Sequence, residues 1–206
     1  MKSITKHWDS IFFGAKDSKL GWYEQDFTQT FKLLNLIPNW ENSTIFLPGV
    51  GTSNIIEEFI KSNVKLILND ISIEALQKVR DRLKGNSENI KWLPQNIAKR
   101  FTEKIDDIDV WIDRAVLHFL TEKNSIKGYF ENVKSALKPN GYVIFAEFSK
   151  GGATKCAGLS IHRYSVEEIT ERLGPSFNLI AYFNYTDTTP SGEPRPYIYT
   201  LYKRHK

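Results

Sequence analysis

The sequence predicts a single-domain α/β protein with a doubly wound, seven-stranded, mostly parallel sheet whose last strand is antiparallel. Three observations support this fold class. Apolar strand-like segments alternate with amphipathic segments along most of the chain. Residues 43–72 read as strand, glycine turn, helix, strand and acid, which is one βαβ unit. The chain then finishes with two strand-like segments joined as a hairpin.

The individual elements follow from apolar periodicity and turn residues. Strands are expected at 44–47, 64–68, 90–93, 108–113, 142–146, 177–185 and 197–202. Helices are expected around 55–60 and at 72–83, 129–137 and 165–173. Residues 138–141 are predicted to turn into the fifth strand, and 186–196 to form a long hairpin loop. We expect residues 1–40 to form an aromatic, helical lid and 41–206 the core of the same domain.

Size and composition narrow the class of protein. The 206 residues suffice for a full core, with 41% hydrophobic and 25% charged residues. No apolar run reaches the roughly 18 residues of a membrane span, and residues 1–10 lack a signal-peptide core. The one cysteine, Cys156, excludes internal disulfides and a cysteine-rich zinc site, so we expect no metal and a cytoplasmic location. The basic residues behind the net charge of +4 are scattered, which argues against a nucleic-acid partner.

The βαβ unit also indicates where a ligand binds. Its right-handed crossover brings Gly49, Gly51 and Asp70 to one edge of the sheet. Glycines let a ligand approach the backbone, and a carboxylate about 20 residues further on can bind both ribose hydroxyls. The alternative is a tight turn beside a surface aspartate. NAD is disfavoured because the third glycine of its fingerprint is missing near Asn54.

The order of elements and five motifs resemble the class I methyltransferases that use S-adenosylmethionine (SAM). The motifs are W-D-S-I-F at 8–12, G-W-Y at 21–23, P-G-V-G-T-S at 48–53, D-R-A-V-L-H-F-L at 113–120 and C-A-G-L-S-I-H-R-Y at 156–164. The resemblance covers nearly the whole chain and is greatest to small bacterial enzymes of a thiol-methyltransferase-like group. It implies a Rossmann-like fold, SAM as cofactor and a small-molecule methyl acceptor.

The resemblance also implies a set of cofactor-binding residues, located after the strands at the ligand edge and in the lid. They are Trp22, Gly49, Gly51, Thr52, Ser53, Asp70, Ile71, Asn96, Ile97, Asp113 and Arg114. Asp70 would bind the ribose hydroxyls, and Ile71 would pack on adenine. Asn96 stands where such enzymes usually hold an aspartate against the adenine amino group, and its carbonyl oxygen can accept the same bond. Thr52 or Ser53 can also cap the following helix.

One position departs from this family. Many class I enzymes carry an acid that supports the methionine end of SAM where this chain has Leu47. The ammonium group of SAM then needs another acceptor, for which a backbone carbonyl, Asp113 and Glu24 are candidates. Arg114, beside Asp113, has a structural salt bridge with that residue as its alternative role.

Three residues, Asp113, His118 and Tyr164, are candidates for catalysis. His118 follows the fourth strand at the ligand edge and is the best general base, the alternative being a hydrogen-bonded core histidine. Tyr164 can position a nucleophile and Arg163 can hold an anionic substrate group. Local packing ahead of the 165–173 helix is the alternative for both.

Trp22 and Tyr23 are expected to cover the ligand and exclude water, with plain hydrophobic packing as the alternative. Tyr23, His118, Arg163 and Tyr164 therefore form the predicted substrate set. A compact aromatic lid favours a small acceptor, and the lack of a carboxylate-rich or basic catalytic cluster favours a thiol or other soft nucleophile. Protein lysine methylation and a non-catalytic SAM- or nucleotide-binding module stay open as alternatives. The oligomeric state is not determined by the sequence.

Overall fold

The computed structural model describes residues 3–14, 16–189 and 191–205, and the elements below lie in those ranges. The helices are α1 (Ile4–Gly14), α2 (Thr28–Leu34), α3 (Ile55–Phe59), α4 (Ile73–Leu83), α5 (Lys123–Ala136) and α6 (Val166–Leu173). The strands are β1 (Thr44–Leu47), β2 (Lys65–Asp70), β3 (Ile90–Pro94), β4 (Ile108–Arg114), β5 (Leu137–Phe148), β6 (Lys155–Cys156), β7 (Leu159–Ser160), β8 (Phe177–Thr188) and β9 (Pro194–Arg204).

Seven of these strands form one sheet in the order β3-β2-β1-β4-β5-β9-β8. Strands β1 to β5 pair in parallel, whereas β9 is antiparallel to both β5 and β8. Strands β6 and β7 pair separately. The predicted fold class, a single-domain α/β sheet with an antiparallel last strand, is confirmed.

Both faces of the sheet are buried, which explains why the central strands read as continuous apolar runs. On one face, Ile45 of β1 belongs to a core that contains side chains of α2, α3 and α4. On the other, Phe46 stacks on Trp111 of β4 with ring centroids 4.1 Å apart, in a core shared with α5 and α6. Alternate residues of one strand thus anchor two helical layers. In the described part of the chain, no helix has the length and apolar character that a membrane crossing requires.

Three expected boundaries were wrong, each for a local reason. Helix α5 begins at Lys123 and runs through Gly128, where a Cβ would lie 2.2 Å from the Ala98 carbonyl oxygen. That glycine allows close packing and does not end the helix. Residues 138–141 belong to β5, whose register with β4 shifts there. Pairing of β8 with β9 continues to Thr188 and Pro194, so the long hairpin loop shrinks to the residues between them.

Candidate functional site

A cavity opens at the carboxyl-terminal edge of β3, β2, β1 and β4, beneath the N-terminal segment. We call it the edge cavity. Ten of the eleven predicted cofactor-binding residues line it: Trp22, Gly49, Gly51, Thr52, Ser53, Asp70, Ile71, Asn96, Ile97 and Arg114. The remaining one, Asp113, is completely buried and does not line it. The topology therefore gathers these residues at one edge, as the βαβ unit predicts.

The turn after β1 is shaped for close contact with a ligand. Gly49 and Gly51 have φ angles of +47° and +54°, which favour glycine. A Cβ at Gly49 would meet the Val116 side chain at 2.7 Å, so no larger residue fits. Ser53 Oγ accepts from the Ile55 N–H at 3.4 Å. The N-cap residue of α3 is Asn54, however, whose side chain makes no capping hydrogen bond, so the expected cap at Thr52 or Ser53 is wrong. This turn presents bare backbone to the edge cavity.

Asp70, the last residue of β2, lies directly beside this turn. Its Oδ2 accepts a hydrogen bond from the Gly51 N–H and its Oδ1 one from the Ser72 N–H, both at 2.7 Å. Burial raises its pKa to about 6, while the backbone hydrogen bonds oppose that rise. Above that pH the carboxylate is charged, held rigidly, and has lone pairs left to accept hydroxyl groups.

The loop that follows β3 (residues 95–97) forms one end of the cavity, next to β2. Asn69 Nδ2 donates to the carbonyls of Leu93 and Gln95 at 2.9 and 2.7 Å, which fixes this loop against β2. Asn96 Oδ1 accepts from the Ala98 N–H at 2.9 Å, so its side chain caps the loop and also lines the cavity. Sequence reasoning missed Asn69, whose clamp becomes apparent only from the β2–β3 register.

Aromatic residues of the N-terminal segment cover the cavity. The Trp8 ring lies edge-on to Trp22 and Phe119, with centroid distances of 5.7 and 4.8 Å. Phe12 packs against both tryptophans. Tyr23 also lines the cavity, and its hydroxyl accepts from Asn54 Nδ2 at 3.2 Å. Trp22 and Tyr23 therefore line the cavity together with Trp8 and Phe12.

Polar contacts fasten this N-terminal segment to both sides of the core. Asp9 Oδ1 accepts from Ser72 Oγ at 2.6 Å, on the β2 side. On the hairpin side, Arg195 Nη1 donates to the Gly21 carbonyl at 2.6 Å, and Arg114 Nη1 donates to the Trp22 carbonyl at 3.1 Å. The N-terminal segment is thus docked by directional bonds at each end as well as by its aromatic packing.

Arg114, at the end of β4, is the centre of a charged cluster. Its Nε lies 2.8 Å from Glu24 Oε2, and its Nη2 lies 3.1 Å from Asp187 Oδ2 of β8. The alternative of a salt bridge with Asp113 is therefore wrong. Burial raises the pKa of Glu24 to about 7, although the guanidinium of Arg114 opposes that rise. Two carboxylates thus share one guanidinium at the cavity wall.

A second polar network, centred on Asp113, His118 and Glu147, lies behind that wall and is completely buried. His118 Nδ1 lies 2.7 Å from Glu147 Oε2, which also accepts from the His118 backbone N–H at 3.1 Å. Asp113 Oδ1 accepts from the Val116 N–H at 3.1 Å, and its Oδ2 accepts from the Tyr129 hydroxyl. The two carboxyl groups therefore hold the turn at 116–119, whose outer side chains line the cavity.

This burial corrects the expected roles of Asp113 and His118. Burial lowers the pKa of His118 to about 3 and raises those of Glu147, to about 8, and Asp113. His118 is neutral at physiological pH and does not line the cavity, so it does not fit a base that contacts an acceptor. The alternative of a hydrogen-bonded core histidine agrees with the geometry.

Tyr164 and Arg163 also lie away from the edge cavity. The Tyr164 side chain is completely buried, and burial raises the pKa of its hydroxyl above the usual range. Arg163 Nη1 donates to the carbonyls of Lys150 and Gly152 at 2.6 and 3.1 Å. Neither side chain lines the cavity, so the expected substrate contacts do not fit this arrangement. Both residues instead order the chain before α6.

Two other residues escaped sequence reasoning. Glu147 lies within an apolar strand, and nothing around it in sequence indicates a partner for His118. Asp187 falls in a segment expected to be loop and reaches Arg114 only because β8 extends to Thr188. Their roles depend on strand pairing between distant segments, which spacing along the chain does not reveal.

Comparison with known proteins gives one curated relative at low identity. The chain is 27% identical over 132 residues to malonyl-[acyl-carrier protein] O-methyltransferase 2 of Ilyobacter polytropus. The aligned part covers 64% of this chain and 45% of that relative. The chain therefore spans less than half of the length of that relative.

Solved structures share the fold across almost the whole chain. A SAM-dependent methyltransferase from Anabaena variabilis has a TM-score of 0.76 at 14% identity, covering 98% of this chain and 93% of its own. The N-methyltransferase NodS from Bradyrhizobium japonicum, in complex with S-adenosyl-L-homocysteine (SAH), has a TM-score of 0.74 at 14% identity, covering 98% of both chains. The methyltransferase domain family matches residues 42–174. The chain therefore belongs to the methyltransferase domain family, which confirms the predicted enzyme class.

Proposed function

We propose that this protein transfers the methyl group of SAM to a small-molecule acceptor bound under the N-terminal lid. The observation that carries the proposal is the edge cavity itself, where the Gly49–Gly51 turn, the Asp70 carboxylate and the aromatic lid face one another. SAM supplies a methyl group on a sulfonium, which a nucleophile displaces in line. The residues described above have to bind, orient and dehydrate the reactants.

The cavity residues fit that cofactor along the sheet order. Asp70 at the end of β2 would accept the ribose hydroxyls, and Asn96 and Ile97, which line the cavity after β3, would bind the adenine. The Gly49–Gly51 turn lets the methionine end pass close to the backbone towards β4. We keep Trp22, Thr52, Ser53, Ile71 and Arg114 as proposed cofactor contacts.

The lid supports a compact acceptor. Trp8, Phe12, Trp22 and Tyr23 all line the cavity, and the bonds from Arg114 and Arg195 fasten this segment over it. Such a covered, apolar site excludes water and favours a near-attack geometry, which can lower a barrier by up to about 7–11 kcal/mol. We also propose that residues 1–40 act as the lid and that residues 41–206 form the core.

The acceptor atom is chosen by elimination. With Asp113, His118 and Tyr164 buried, the described cavity lining offers Glu24, Tyr23 and Asp70 as polar acidic or phenolic groups. An acceptor that ionises without help, such as a thiol with a pKa of about 8.5 or a carboxylate, suits this lining best. The name of the curated relative, an O-methyltransferase, gives the carboxylate particular support.

The test has two stages. Calorimetric titration with SAM, SAH and NAD should show micromolar binding of SAM or SAH and none of NAD. SAH formation should then be measured with matched short-chain thiols, carboxylates and amines, and with a lysine-containing peptide. Turnover of a thiol or carboxylate supports the proposal. Turnover of the peptide alone favours protein methylation, and binding without turnover favours a non-catalytic SAM-binding module.

A further inference from the structure

We propose that Glu24 and Thr30, both from the N-terminal segment, bind the ammonium group at the methionine end of SAM. This inference rests on the proposed function and adds two residues to the cofactor site. It gives the segment that covers the cavity a direct part in cofactor binding, in place of the acid that the Leu47 position lacks.

The position of Glu24 follows from the sheet order. Strand β1 pairs with β4 through Ile45↔Val110 and Phe46↔Trp111, so Leu47 and Arg114 end at neighbouring points of the same edge. Glu24 is held 2.8 Å from the Arg114 Nε and lines the cavity together with Leu47. Its carboxylate therefore reaches the edge cavity at the β4 end, in the same cavity as Leu47. A ligand with its ribose at Asp70 and its adenine at β3 would point its methionine end there.

The charges of Arg114, Glu24 and Asp187 do not balance one another. Asp187 Oδ2 also binds the Arg114 guanidinium, at 3.1 Å, so the three side chains carry one net negative charge when both acids are ionised. Their side chains are only 10% to 26% exposed, so solvent compensates that charge poorly. An ammonium group supplies the missing positive charge. Asp187 keeps Arg114 neutralised while Glu24 faces the ammonium.

Thr30 is an independent indication of a ligand in the same cavity. The residue is 1% exposed and lines the cavity from α2. Within the part of the chain that the structure describes, its Oγ1 has no hydrogen-bond partner. A buried hydroxyl without a partner is costly, and a donor from a bound ligand would satisfy it. An ammonium group with three N–H donors can serve a carboxylate and a hydroxyl together.

The test compares three ligands on the intact protein. Calorimetric titration of Glu24→Gln with SAM and SAH should show affinities reduced about tenfold or more for both, because both carry the ammonium group. Affinity for 5′-methylthioadenosine, which lacks the amino-acid part, should stay within twofold and show that the variant is folded. Thr30→Val should show the same pattern with a smaller loss. Glu41→Gln, at an exposed position outside the cavity, is the matched control.

Three results of these titrations would overturn the assignment of Glu24. A loss for SAM without a loss for SAH would assign Glu24 to the sulfonium and overturn the inference, as would equal losses for all three ligands or no loss. Failure of the wild-type protein to bind SAM and SAH would instead overturn the proposed function.

The pH dependence provides a second readout. Arg114, Asp187, Asp26 and Tyr199 are the charged or titratable groups that act on Glu24. An ammonium ligand prefers ionised Glu24, so the ratio of wild-type to Glu24→Gln affinity should rise between pH 6 and pH 8. A constant ratio would contradict the assignment.

Discussion

The carboxylate of Asp70 is fastened to the glycine turn, since its Oδ2 accepts the Gly51 N–H at 2.7 Å. Its other oxygen accepts the Ser72 N–H, so the side chain cannot rotate away from the edge cavity. We expect Asp70→Ala to weaken SAM binding by about 100-fold or more, because hydrogen bonds to a charged group contribute about 1.5–3 kcal/mol each. Calorimetric titration measures this loss. The exposed Asp81→Ala is the control, and unchanged affinity of Asp70→Ala would rule out the ribose assignment.

A second prediction concerns Trp22 in the proposed lid. Trp22 lines the cavity and is partly buried among Trp8 and Phe12. Trp22→Ala should lower turnover at least tenfold, because water enters the site, while the thermal midpoint falls by only a few degrees. Initial rates and thermal melts on the same sample test both parts. Phe13→Ala, at a side chain that is 78% exposed on the same helix as Trp8, should behave like the wild type. A Trp22→Ala protein that is unfolded at room temperature would make Trp22 a core residue.

His118 should matter for stability and not as a base. The side chain is completely buried between Phe119 and Phe148, with its Nδ1 at Glu147. His118→Ala removes that packing and leaves Glu147 without its partner, so we expect a loss of about 2–5 kcal/mol in the free energy of unfolding. Urea denaturation measures it. The pH–rate profile of the folded fraction should keep its shape, and loss of an acidic limb in that profile would restore His118 as a general base.

Because Glu147 is buried, we expect the free energy of unfolding to depend on pH. An exposed glutamate in the unfolded chain releases its proton near pH 4.5, whereas in the native state burial raises the pKa to about 8. The native state therefore binds more protons between these values, and stability falls as the pH rises from about 4.5 to about 8. Glu147→Gln should lose less stability than the wild type between pH 5 and pH 8. Urea denaturation at the two pH values tests this, with the exposed Glu131→Gln as the control. Identical pH slopes for Glu147→Gln and the wild type would contradict the assignment.

The parts of the site that follow from short-range patterns were predictable. The turn at Gly49 and Gly51 and the acid at Asp70 lie within one βαβ unit, where spacing fixes geometry. The expected start of the 165–173 helix is also local, because Ser165 Oγ caps it by accepting the Glu168 N–H. Local chemistry determines these features.

The parts that depend on distant pairing were not predictable. Whether His118 faces the cavity or the core depends on Glu147, which lies 29 residues away on a neighbouring strand. The partner of Arg114 depends on the length of β8, because Asp187 was expected in a loop. Spacing along the chain contains no information on either contact, so the candidates for catalysis were placed less well than those for cofactor binding.

The bond between Arg195 and the Gly21 carbonyl joins segments 174 residues apart. Its consequence concerns the exchange of parts between related enzymes. A lid transplanted from another family member would meet Arg195 and Asp187 of this hairpin instead of the ones it evolved with. Acceptor preference should therefore pass from one enzyme to another only when the N-terminal segment and the β8–β9 hairpin are exchanged together.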